Sequence, residues 1–187
     1  MHRSKVRVIL VTDGDRTAQE AMEVAAQNIG GRCISASAID NFAPDAKELL
    51  AMIKSAAGDP VVVMFDDQGE EGLGKGEQLL ARVVSDPDIE VLGAIAVASN
   101  TEGVRGVEPD FSVTKDGDIV AGGVNKEGHP VESPLIKGDT VDVLRKLDIP
   151  IIVGLGDPGK MQFADAAATG APATTVALQE ILRRNGE

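Results

Sequence analysis

Short apolar runs alternate along the chain with longer amphipathic stretches, and this alternation predicts the elements. VRVILVT (6–12) is apolar at every other position and at most of those between, as expected of a strand buried on both faces. Asp15 or Thr17 then caps a helix over 16–28, closed by Gly30-Gly31. CISASAI (33–39) reads as a shorter strand near an edge, and a second helix follows over 44–57 with Pro44 in its first turn. VVVMF (61–65) is the third strand, a glycine-rich loop leads to a helix through 77–84, and EVLGAIAVAS (90–99) is the fourth strand. PIIVGLG (150–156) is the fifth, and TTVALQEILRRN (174–185) forms the last helix.

Doubly apolar strands alternating with helices predict a parallel sheet covered on both sides. With right-handed crossovers this is a three-layer, doubly wound α/β domain, flavodoxin- or Rossmann-like, around a mainly parallel five-stranded sheet. Residues 1–187 read as one such domain. One segment breaks the rhythm. FSVTKDGDIVAGGV (111–124) places Asp116-Gly117 between two strand-like runs, which predicts a β-hairpin within an insertion at 101–137.

Composition narrows the function classes. With four Phe, no Trp and no Tyr, the chain has few surfaces on which bases or sugars stack. A net charge of −12 repels phosphate backbones, so nucleic acid is excluded as a partner and cations or basic proteins are favoured. The single cysteine, Cys33, permits no internal disulfide and reads as a small buried hydrophobe. His2 and His129 have no soft-ligand neighbours, so no zinc site is expected. The longest apolar run, VLGAIAVA (91–98), falls far short of the ~20 residues of a membrane span, and the N-terminus lacks a secretory h-region. A cytoplasmic fold with no direct span is the expectation.

The polar residues collect at the carboxyl ends of the strands, where ligands bind in open α/β sheets. Strand one ends in Asp13 and Asp15, strand three in Asp66 and Asp67, strand four in Ser99 and Asn100; strand five ends in Asp157, followed by Lys160. If strands one and three are neighbours, Asp13, Asp66 and Asp67 become candidate metal ligands, and an oxygen-only set suits Ca²⁺ or Mg²⁺. Carboxylates separated by more than roughly 8 Å could not share such an ion. The same residues also serve as caps and turns, and the sequence leaves both readings open. The loop GLGKGE (72–77) offers Gly72, Gly74, Lys75 and Gly76 as a candidate cradle for a small anion at a helix start, although the spacing is not that of a P-loop.

Three phosphoryl-transfer templates bear on these residues. In the haloacid-dehalogenase order, Asp13, Asp15, Ser99, Asp157 and Asp165 follow in sequence, but Thr17 sits one position early for DxDxT. The receiver order would use Asp13, Asp66, Ser99 and Lys160. The toprim order would use Asp13 and Asp15, but needs a Glu on an earlier strand that this chain lacks.

Six blocks carry a more specific resemblance: IGGRCIS (29–35), VVVMFDDQG (61–69), DIEVLGAIAVASNT (88–101), GDTVDVL (138–144), IPIIVGLGDPGKM (149–161) and GAPATTVALQEIL (170–182). With VILVTDGD (8–15) as opening motif, the chain resembles the soluble stage V sporulation protein AE family of spore-forming Bacillota, from about residue 5 to its end. Pro158 stands where that family often carries an apolar residue. The resemblance implies an accessory role in the uptake and release of calcium–dipicolinate during sporulation and germination. It implies a protein peripheral to the spore inner membrane, working with membrane-embedded products of the same operon. It brings no established catalytic residue, so no enzymatic activity is favoured; a Mg²⁺-dependent phosphoryl-transfer enzyme or phosphoacceptor is the alternative. Oligomeric state is left open.

Overall fold

The computed structural model describes residues 4–35, 44–66 and 74–187. Its centre is β1 (Val6–Val11), flanked in parallel by β3 (Val61–Met64) on one side and β4 (Ile89–Val97) on the other. β2 (Arg32–Ile34) lies outside β3, and β7 (Ile152–Leu155) lies beyond β4. The expected strand neighbours one and three are therefore adjacent. The strand ends of β3, β1, β4 and β7 stand side by side, which brings their terminal acids to one rim.

Among the described residues the sheet has seven strands rather than five, in the order β2-β3-β1-β4-β7 and then two strands of the insertion, β5 and β6, at Phe111–Val113 and Ile119–Val120. The difference lies in the insertion. β5 and β6 form the expected antiparallel hairpin, but β5 also pairs in parallel with β7 and so extends the main sheet. Its short runs show little period-two signal. What fixes them is tertiary: Phe111 is buried, and the Arg184 guanidinium stacks 3.9 Å from its ring. Asp116-Gly117 makes the turn, with Gly117 at a φ of 84°. Residues 36–39 of the expected second strand lie outside the described residues.

Side-chain alternation sorts the core into two layers. Ile9, Val11, Val62, Met64, Ile95 and Val97 face α1 (Arg16–Asn28) and α5 (Pro172–Arg184). Val8, Leu10, Val61, Val63, Ala94 and Ala96 face α2 (Ala46–Ser55), α3 (Lys75–Val84) and α4 (Val141–Leu144). Neither face of the central strands meets water, which accounts for their unbroken apolar runs. α1 buries Ala18, Ala21, Met22, Ala25 and Ala26, a stripe at helical spacing, and α5 answers with Ala173 and Ala177. Small residues on both let the two helices share one face of the sheet.

The helix starts follow their capping chemistry. Asp45 and Glu48 form a capping box at α2, so Pro44 precedes the helix instead of sitting in its first turn. α5 begins with Pro172 at its first turn, but its N-cap, Ala171, has no side-chain oxygen to offer. The missing acceptor comes from Asp165. α4 follows Thr140, which lies in the left-handed region at a φ of 65°, and is too short to show a period in sequence.

Candidate functional site

Thr12 closes the strand pair below the rim. Its hydroxyl accepts from the Val97 amide at 3.1 Å and donates to the Ile95 carbonyl at 3.4 Å, fastening β1 to β4 one residue before the acids begin. Above it opens a crevice of about 210 Å³, lined by Thr12, Asp13, Asp15, Asp66, Val97, Ser99, Asp139, Asp157 and Lys160.

Asp13 and Asp15 divide the labour that the sequence left undecided. Asp15 caps α1: one carboxylate oxygen accepts from the Ala18 amide at 2.8 Å and the other from the Lys160 ammonium at 2.8 Å. Asp13 caps nothing. Its Oδ1 accepts from the Gly14 amide at 2.6 Å and from the Asp15 amide at 3.4 Å, while its Oδ2 is buried and has no hydrogen-bond partner. A buried polar atom without a partner is costly and rare in native proteins. Oxygens of Asp13, Asp15 and Asp157 lie within 4.8 Å of one another, inside the limit for ligating a shared ion.

The protonation of the three acids follows from this geometry. Burial, with the negative charges of Asp15 and Asp157 added, pushes the Asp13 carboxyl up to about 7. Burial also raises Asp157, against the pull of Lys160. For Asp15 burial pushes upward, but the Lys160 ammonium and the Ala18 amide outweigh it and hold the carboxyl below its usual range. Lys160 is raised in turn, chiefly by its hydrogen bond to Asp15.

The trio differs from the set read from sequence. Asp157 completes it; Asp66 lines the same crevice, and Asp67 lies outside the described residues. Ser99 is in the crevice but Asn100 is exposed and not part of its lining. Of the anion-loop candidates, Gly72 is outside the described residues, Gly74 is the N-cap of α3, Lys75 opens that helix and Gly76 is buried against the core. Cys33 is half-buried, and burial pushes its thiol up to about 12, as suits an inert packing residue.

Sequence reasoning missed Asp139. It reaches the crevice because Gly138 runs close under β4, where a Cβ would collide with the Val97 carbonyl. The Thr101 hydroxyl donates to Asp139 at 2.5 Å and shares a 2.7 Å hydrogen bond with Ser99, whose oxygen accepts from the Asp139 amide at 3.2 Å. The usable signal was the Gly-Asp-Thr run at 138–140, an acid beside a glycine just before a short apolar stretch.

Asp165, the last acid of the dehalogenase-type template, does not belong to the site. It is fully buried and accepts from the Gly159 amide at 2.9 Å, the Thr174 amide at 2.9 Å and the Thr174 hydroxyl at 2.5 Å. Those bonds cap α5 and hold the Asp157–Lys160 turn in place. Its oxygens are committed to structure.

The pattern that defines the stage V sporulation protein AE1 family matches residues 7–185, almost the whole chain. The chain belongs to that family. The match takes in both strand-end acids of β1, the GDPGK turn and the hairpin insertion, so rim and fold fall within the family's span. Neither a curated protein nor a solved structure matches it. Family membership makes it a sporulation protein; among the described residues no helix is long and apolar enough to cross a membrane.

Proposed function

We propose that this sporulation protein is an accessory component of the spore's calcium–dipicolinate uptake and release system. It works at the surface of the inner membrane, docked on membrane-embedded proteins of the same operon, and its rim crevice holds a divalent cation. The observation that carries the cation reading is the unpartnered, buried Oδ2 of Asp13 within a trio of carboxylates. An oxygen-only donor set fits Ca²⁺ or Mg²⁺ and no softer metal.

Asp13, Asp15 and Asp157 are the residues that would hold the ion, whose two positive charges would offset their mutual repulsion. Two features of the chain set the conditions. Asp13 gives up its proton near neutral pH, so binding is coupled to proton release and strengthens as pH rises through about 7. Lys160 already lies 2.8 Å from Asp15 and 3.8 Å from Asp157, so its ammonium competes for the same oxygens and holds the site's affinity down.

The dehalogenase-type template is not met, since Asp165 is consumed as a cap; the receiver-type residues Asp13, Asp66, Ser99 and Lys160 share the crevice, but Lys160 is tied to Asp15 and Ser99 to Thr101. Calorimetric titration with Ca²⁺ and Mg²⁺ at pH 8, on wild type and Asp13→Asn, tests the cation reading. Heat with wild type and its loss in the variant are expected; no heat with either cation at millimolar concentration overturns it. Co-purification from spore membranes with a channel protein of the operon tests the docking half.

A further inference from the structure

Just beyond Lys160 of the crevice, the chain makes an unusual turn. Met161, Gln162 and Phe163 all lie in the left-handed region, with φ of 52°, 57° and 69°. None is glycine, and each pays a steric penalty for that conformation. The product of the turn is an aromatic ring in water: Phe163 is 89% exposed. The other large exposed apolar side chains among the described residues, Met52, Ile119 and Val131, reach only 38–46%.

The turn is fixed from several sides. The Met161 side chain is buried, its sulfur so close to Gly128 and Gly156 that a Cβ there would meet it at 2.7 and 2.8 Å. The Asp165 amide donates to the Lys160 carbonyl at 3.3 Å, and the Asp165 carboxylate takes the Gly159 amide. The Lys160 ammonium is tied to Asp15. Phe163 is thus displayed on a braced turn, the state in which an aromatic anchor binds without a large ordering cost.

We infer that Phe163 anchors a docking surface for a protein partner that offers an apolar pocket rimmed by Lys and Arg side chains. The charge around the turn selects that partner. Among the described residues, Arg16 is matched by Glu20, Lys126 by Glu127, and Lys160 by both Asp15 and Asp157. Asp13 and Asp139 stand behind them in the crevice, so the surface beside Phe163 is acidic on balance. With the whole chain at −12, anionic headgroups are repelled, and a second copy would set the same acids against themselves. A basic partner is attracted and steered.

The inference rests on the docking half of the proposed function and names its surface. The test replaces Phe163 or, as a control two strands away at the β6 edge of the sheet, Ile119 with p-benzoylphenylalanine in the full chain and cross-links in sporulating cells. A specific protein joined at position 163 and not at 119 is expected. That partner, once purified, binds wild type at least about tenfold more tightly than Phe163→Ala, with Phe163→Leu between them, and loosens as salt is raised. Equal binding of Phe163→Ala, indifference to salt, a cross-link only to a second copy, or binding to phosphatidylcholine–phosphatidylglycerol vesicles that depends on Phe163 overturns the inference. A partner joined at 119 alone leaves docking standing and moves it to another face. No adduct at either position removes both.

Discussion

The two ends of this sheet carry similar charged groups in opposite circumstances. At the amino ends of the strands Arg7 pairs with Asp59 and Glu187, and Lys54 with Asp86 and Asp88, all at the surface and each charge answered by an opposite one. At the carboxyl ends Asp13, Asp15 and Asp157 crowd together, with Lys160 in contact and Lys126 acting on Asp157 among the described residues, and one buried carboxylate oxygen has no partner. The first arrangement is what solvent permits anywhere and is worth little energetically. The second runs against folding and persists only because the surrounding structure holds it, and it is the observation behind the proposed cation site.

A second contrast lies within the carboxyl-end rim. Asp165 and Asp13 are both acids placed by βα loops, yet three donors converge on Asp165 while one oxygen of Asp13 is left bare. One side chain holds the rim together and the other is available to a ligand.

Substitutions can break this comparison, and the largest effect belongs to Asp165. Asp165→Ala strands two amides and a hydroxyl in the core and uncaps α5, so a loss of about 3–5 kcal/mol is expected in urea unfolding. A loss under about 1 kcal/mol would show that the cap is dispensable.

Asp13→Asn comes next, with the opposite sign. A carboxyl raised from 3.8 to about 7 stabilises the fold while protonated, and that contribution disappears as pH rises through 7. Wild type should therefore lose stability relative to Asp13→Asn between about pH 4 and 7, and the variant should be the more stable at pH 8 by on the order of 2–4 kcal/mol. Thermal melts at the two pH values read the difference directly; a variant less stable at pH 8 would mean that the carboxylate is satisfied after all.

The smallest effects are expected at the other end of the sheet. Arg7→Gln and Lys54→Gln should each move the urea midpoint only slightly, and raised salt should shrink the shift further. A large shift at either position would erase the contrast between the two ends.

Much of the fold was legible in the residues because its central strands are buried on both faces and say so in unbroken apolar runs. The α1 boundaries follow from Asp15 and the Gly30-Gly31 stop. The attachment of β5 to β7 was not legible, since three residues carry no usable period and their partner lies some forty positions away. The site was legible in part for a related reason. Strand ends can be located from sequence, so Asp13, Asp15 and Asp157 were all in view, but which acids converge depends on loop paths. Asp139 arrives through a close backbone approach at Gly138, and Asp165 departs because a distant helix needs a cap; neither is a property of local sequence.

NMR titration of the Asp13 side-chain carbonyl carbon reads out whether this carboxyl is unsatisfied and takes a cation, as proposed. A midpoint near 7 in metal-free protein and a midpoint well below that in saturating Ca²⁺ are expected. A midpoint in the ordinary aspartate range near 3.8, unmoved by Ca²⁺, would contradict the proposal.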